Sequence, residues 1–190
     1  KALTTDGDPS DWPLRPVNTA GSFRLLGRRG RAGDGLARRQ TLVFAVHDGK
    51  RLNLLFRCDQ PRGDVRAFGD NTVRYDQLVA GGEDLVEVLL DPGRRARGVE
   101  DLYHVVVKAN GVTIAERGVG CEPALGQARP WSARIRTAVG RREGLWFVEM
   151  SIPLSAFGQA GVEPYWGVNF TRFTTAGAES SSWSGAERYF

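Results

Sequence analysis

The chain has 190 residues, of which 41% are hydrophobic and 25% charged, ordinary proportions for a globular domain that buries a core without a metal or disulfide staple. No run reaches the roughly 18 apolar residues of a membrane span and no basic start leads into an apolar signal segment, so a membrane protein, a disordered tail and a disulfide-dense scaffold are excluded. The net charge of +4 comes from 23 Arg and 3 Lys against 22 acids. The arginines run along the whole chain without forming a stripe, so no nucleic-acid partner is expected.

In chain order, the opening DGDPSDWP is acidic. Asp6, Asp8 and Asp11 are hard oxygen donors of the kind Ca²⁺ takes, but the EF-hand spacing is absent and turn chemistry is the simpler reading. The Gly-rich stretch 27–35 reads as a loop. TLVFAVHDGKRLNLLFRCD reads as two strands joined at Asp48–Gly49. Leu52, Leu54, Phe56 and Cys58 share one face of the second strand, which makes Cys58 a small buried hydrophobe. Whether Cys58 pairs with Cys121 is left open by the spacing. Residues 59–82 give no clear element. EDLVEVLLDP is a strand stopped by Pro92. LYHVVVKANGVTIAERG is a hairpin whose Asn110–Gly111 tolerates the positive φ angles of a type I′ turn. WSARIRTAV, LWFVEMSIP and YWGVNFTRFT read as three more strands, and LSAFG after Pro153 is the one helical candidate.

About eight strands at hairpin spacing without crossover helices predict an all-β, antiparallel β-sandwich over residues 1–190, a single domain. A start at Lys1 predicts a piece excised from a larger chain. The predicted core takes Leu42, Phe44, Leu54, Phe56, Val86, Val88, Leu90, Val105, Val107, Trp146, Val148, Ile152, Val168 and Phe170.

The two-residue turn would pair Ala109 with Val112, setting His104 against Arg117 and Lys108 against Thr113. If the strands flanking 92–101 also pair, Glu83 and Glu87 share a face with His104 and Lys108. That face reads either as a solvated surface of cross-strand ion pairs or as a polar binding platform, and sequence physics favours the first. Catalytic signatures are missing: there is no G-x-S-x-G, H-E-x-x-H, P-loop or dinucleotide fingerprint. Glu83 and Glu87 stand about 13 Å apart along one strand, a poor spacing for a glycosidase pair, which needs about 5–10 Å. The chain is therefore expected not to be an enzyme. Met150 falls on the apolar parity and reads as core, not as a haem ligand. Trp183, in ESSSWSGAE, is an aromatic ring in a polar setting and a candidate stacking surface.

The order DGDPSDWP, LLFRCD, GEDLVEVLLDP, YHVVVKANG, LWFVEMSIPLSAFG, WGVNFTR and SSSWS resembles the family 9 carbohydrate-binding modules and the wider DOMON-like superfamily. The resemblance implies a jelly-roll-like sandwich, secreted, periplasmic or at the cell surface, non-catalytic and attached to other domains of a parent chain. It implies carbohydrate as the partner, and structural Ca²⁺ as an option for the acidic segments. It places Glu83 where a binding acid belongs, and His104 where members carry an Arg. Asn169 and Arg172 lie on the matching late strand, and Trp183 serves as one aromatic wall, with Tyr75 or Phe68 as the other. Two alternatives stay open: a haem-binding DOMON electron-transfer module, and a docking domain without a small ligand.

Overall fold

A computed structural model describes residues 3–26, 32–60, 65–72, 82–119, 128–175 and 178–184. Its strands are β1 (Thr19–Ala20), β2 (Arg24–Leu26), β3 (Ala32–Leu36), β4 (Thr41–His47), β5 (Arg51–Asp59), β6 (Leu85–Pro92) and β7 (Tyr103–Lys108). They continue as β8 (Thr113–Arg117), β9 (Arg129–Pro130), β10 (Arg136–Arg142), β11 (Leu145–Pro153), β12 (Trp166–Thr174) and β13 (Glu179–Ser182). All pairings are antiparallel, in a five-stranded sheet β1-β4-β5-β11-β10 and an eight-stranded sheet β3-β2-β13-β12-β6-β7-β8-β9. The fold is an antiparallel β-sandwich. LSAFG lies in a run of 3₁₀ turns over Leu154–Val162. Two short segments differ from expectation. Ala32–Leu36, inside and beyond the stretch read as a loop, pairs with β2, and ESSS forms β13 against β12. Serine has low strand propensity, so hydrophobic patterning alone does not reveal β13.

Period-2 alternation puts Val86, Val88 and Leu90 of β6, Val105 and Val107 of β7, and Leu54, Phe56 and Cys58 of β5 into the inter-sheet core. Trp146, Val148, Met150 and Ile152 of β11 join them, all fully buried. Leu42 and Phe44 do not. Their parity is reversed: Val43 faces the core, while Leu42 and Phe44 lie on the outer side of the five-stranded sheet with Trp12, Leu55 and Phe147. Strand β4 is apolar on both sides because the N-terminal segment covers its outer face, so alternation there carries no direction.

Glu149 of β11 holds that cover. One of its carboxylate oxygens accepts the N–H groups of Asp6 and Gly7 at 2.8 and 2.6 Å, and the other accepts Trp12 Nε1–H at 2.6 Å. Burial pushes the Glu149 carboxyl up, against the pull of those donors. Gly7, at φ 87°, lies so close to β10 that a Cβ on Gly140 would overlap its carbonyl. The three aspartates of this segment serve as local hydrogen-bond acceptors. Asp6 accepts from Asp8 N–H, Asp8 from Ser10 N–H and the Arg142 side chain, and Asp11 from Thr4 N–H.

The β7–β8 hairpin differs from expectation by one residue. Lys108 N–H donates to Val112 C=O, and Gly111 N–H to Lys108 C=O, with Gly111 at φ 88°. The loop is therefore the three residues Ala109–Gly111, closed by a glycine at positive φ. Val107 pairs with Thr113 and His104 with Glu116, so Arg117 moves to the inner face over Tyr103. A one-residue change of register exchanges the faces of a whole strand. Here it gives His104 an acidic neighbour in place of a basic one.

Replacing Glu149 by Ala leaves three donors without their acceptor and is expected to destabilise the fold by about 3 kcal/mol. Urea unfolding measures this. Amide exchange over residues 3–12 should quicken in the same variant, and a loss under about 1 kcal/mol would remove Glu149 from its anchoring role.

Candidate functional site

The outer face of the eight-stranded sheet carries the polar side chains singled out in the sequence. Across β6 and β7, Leu85 pairs with Lys108, Glu87 with Val106 and Leu89 with His104. Glu83, Glu87, His104 and Lys108 thus share one face, as the pairing of the strands flanking 92–101 required. That face is buried rather than solvated: all four are at most 1% exposed, beside an apolar layer of Leu85, Leu89, Val106, Val119 and Phe173.

At one end Lys108 is an ion-pair hub. Its Nζ lies 3.0 Å from Glu83 and 2.9 Å from Asp70, whose carboxyl the Lys108 hydrogen bond holds below the usual range. Glu83 also accepts Phe68 N–H at 2.7 Å, and Asp84 accepts Arg66 N–H. The 65–72 segment is thereby pinned across the sheet. Mid-face, His104 Nδ1 lies 2.8 Å from Glu116, Nε2 lies 3.5 Å from Glu87, and Glu87 accepts the Thr171 hydroxyl. Burial alone would lower the His104 pKa. The hydrogen bonds and charges of Glu116 and Glu87 outweigh it and raise the imidazole to about 9.

At the other end a pocket of about 440 Å³ opens between β6, β12 and the 96–102 loop. Leu89, Val99 and Leu102 form its apolar side, while Asp91, Asn169 and Ser184 supply polar atoms and Arg97 stands on its rim. Asn169 Oδ1 accepts from Ser182 Oγ at 3.0 Å and Ser184 N–H at 3.2 Å, which orients the amide and leaves Nδ2 as a donor. Gly167 keeps the floor low, since a Cβ there would crowd Asp91 at 3.2 Å. Asp91 Oδ1 is engaged by the N–H groups of Arg95 and Ala96.

Of the six expected site residues, Asn169 lines this pocket. Trp183 is next to it in space as well as in sequence, because Ser184 is a lining residue. Its ring lies on the inner side, 5.7 Å from Phe170, and is 39% exposed. His104 shares a cross-strand row with Asn169 through Leu89 but is buried in its own carboxylate pair. Glu83 is six residues from Leu89 along β6, about 20 Å away at strand rise, and is bonded to Lys108. Arg172 has the inner parity of β12. Its side chain, 1% exposed, donates to Asp59 C=O at 2.7 Å, Gln60 Oε1 at 2.8 Å and Gln40 C=O at 3.3 Å, all on the opposite sheet or its edge. Tyr75 and Cys121 lie outside the described residues. Asp91, Arg97 and Ser184 were not anticipated. The sequence signal for the first two was DPGRRAR, a charged turn read only as the end of a strand.

Three comparisons bear on the fold. No protein-family model matches the chain, and no curated protein sequence matches it. Among solved structures, a family 9 carbohydrate-binding module from Caldicellulosiruptor kristjanssonii in complex with cellotriose superposes at TM-score 0.58, with 16% identity over 96% of this chain and 80% of that one. The module from the same organism with glucose gives 0.55 at 16% identity, covering 96% and 82%. A protein assigned provisionally to carbohydrate binding, from Bacteroides uniformis, gives 0.61 at 17% identity, covering 97% and 87%. The fold is that of the family 9 carbohydrate-binding modules. No helix among the described residues is long and apolar enough to cross a membrane.

The His104 pair has a signed consequence. The folded pKa lies above the unfolded 6.5, so its stabilisation is complete below pH 6.5 and is lost as pH rises through about 9. At about 1.4 kcal/mol per decade of proton affinity the contribution is about 3 kcal/mol. Unfolding free energy measured from pH 6 to pH 9.5 should fall by roughly that amount in the native chain and stay nearly level in His104→Gln. Equal slopes in the two proteins would mean that His104 is not charged in the fold.

Proposed function

We propose that this domain is a non-catalytic carbohydrate-binding module, acting outside the cell and carried by a larger protein of the DOMON-like group. The observation that carries the reading is the pocket on the outer face of the eight-stranded sheet. An aliphatic side built from Leu89, Val99 and Leu102 meets the C–H face of a sugar ring, and Asn169 Nδ2, Asp91, Ser184 and Arg97 meet its hydroxyls. The structural neighbours in complex with cellotriose and glucose support the same reading.

Among the described residues, Asp91 is the single carboxylate lining the pocket. Glycoside hydrolysis takes two, which supports binding without turnover. Met150 is fully buried between the sheets and His104 is held by two carboxylates, so neither is presented as a haem ligand. Trp183, 39% exposed beside the pocket-lining Ser184, is the aromatic surface proposed for a second sugar unit. Glu83, His104 and Arg172 act as scaffold: they fix the 65–72 segment, the sheet face under Leu89, and the contact between sheets.

Each net hydrogen bond is worth about 1 kcal/mol, and ring contact about 25 cal/mol per Å². Offset by association entropy, these predict micromolar to millimolar affinity. A glycan array followed by titration calorimetry tests the reading. Asn169→Ala should weaken the sugar found by about fivefold or more and Trp183→Ala by about threefold. Unchanged affinity in Asn169→Ala removes the pocket as the site, and no glycan bound at millimolar concentration favours a docking domain.

A further inference from the structure

The pocket shares a wall with a second recess. Asp91, Ala96 and Arg97 border both, and the second, of about 210 Å³, is completed by Asp101, Tyr103 and Arg117. Five charged groups line it, and they are engaged differently. Arg95 is taken up by Glu163 in an ion pair. Asp91 Oδ1 accepts the N–H groups of Arg95 at 2.9 Å and Ala96 at 3.0 Å, and Asp101 Oδ2 accepts Arg97 N–H at 3.0 Å. In each carboxylate one oxygen is thus engaged by the loop backbone.

The other two arginines are not engaged in this way. Arg117 lies over the Tyr103 ring, 3.9 Å from its centroid, and gives one Nη2 bond to the Asp101 carbonyl at 2.8 Å. Its buried Nε has no acceptor. Arg97 is exposed. Neither guanidinium forms an ion pair among the described residues. Two guanidinium forks on one small recess, one of them fixed by stacking, suit an oxyanion: the planar, multi-donor group matches carboxylate and similar oxygens where a point charge would not.

From this geometry we infer that the second recess binds the acidic substituent of a saccharide, a uronic-acid carboxylate or a sulfate ester, while the adjoining pocket holds the ring. The ligand class is then an anionic saccharide. The inference rests on the reading of the pocket as a sugar site and adds the charge of the ligand to it. Asn169 and Asp91 orient the ring, and Arg97 and Arg117 select the acidic over the neutral sugar.

Titration calorimetry on the intact domain at low ionic strength would use D-glucose, D-glucuronate and a sulfated glucose, with sodium acetate as the free-anion control. One or both acidic sugars should bind about tenfold tighter than glucose, with acetate alone undetected. The advantage should shrink to about twofold or less in about 0.5 M NaCl, and also in an Arg97→Gln, Arg117→Met double variant whose melting is monitored. Arg97→Gln alone, at an exposed position, should take away about threefold and needs no help from the second change. Equal binding of glucose and both acidic sugars overturns the inference and leaves the sugar site standing. Binding of no sugar at all removes the site and the inference together. An acidic advantage that survives Arg97→Gln undiminished also overturns it, because the charge is then read elsewhere. So does acetate binding as tightly as the acidic sugars, which marks a free-anion site only.

Discussion

Buried backbone N–H groups need acceptors, and in this sandwich the irregular segments find theirs in carboxylates raised from the sheets. Glu149 takes the N–H groups of Asp6 and Gly7, and Glu179 those of Arg38 and Arg39. Glu83 takes Phe68, Asp84 takes Arg66 and Thr175, and Asp91 takes Arg95 and Ala96. An ionised carboxylate offers several lone pairs and no competing donor, and its bonds to N–H groups are charge-assisted. One side chain can therefore fix two consecutive amides and the direction of the chain through them. The outer layers of the molecule combine this device with apolar cover, from Trp12, Phe44, Leu55 and Phe147 on one sheet and Leu85, Leu89, Val106, Val119 and Phe173 on the other.

Such anchoring has a cost that the structure meets in two ways. Lys108 neutralises Glu83 from inside the layer, and His104, charged by its neighbours, does the same for Glu87 and Glu116. A buried pair of this kind adds little net stability over an apolar pair. It does fix which strand faces which segment. Along β6 the result is a gradient: ion pairs at Glu83, a mixed layer at Glu87, and an open pocket at Leu89 and Asp91.

The sequence made the sandwich legible because both sheets obey period-2 alternation where one face is plainly more apolar, as in β5, β6 and β11. It misled in β4, where Leu42 and Phe44 are as apolar as Val43 because a covering segment lies far away in sequence. It also misled at the β7–β8 turn, where Asn110–Gly111 closes a two-residue or a three-residue loop with equal ease and only the structure chooses. The site was less legible than the fold. Asn169 was reachable through resemblance, but Arg172 stands only three residues on with the opposite parity, and one residue of parity separates a pocket wall from a core. Asp91 and Arg97 carried a signal in DPGRRAR that alternation, blind to loops, does not weigh.

Arg172 has a mechanical side. Apolar contacts between two sheets are nearly isotropic, so by themselves they would let the layers slide with little resistance. The guanidinium of β12 reaches across to Asp59, Gln60, Gln40 and Thr41. Each of those bonds points in a fixed direction and lengthens at once if the layers slip. Hydrogen bonds inside each sheet resist pulling a strand out, and Arg172 resists shear between the sheets. It shares that task with Thr113 of β8, bonded to Thr137 of β10, and with Arg141 of β10, bonded to the Ala109 carbonyl beside β7; together these tie the two layers at fixed points where apolar packing alone sets no direction.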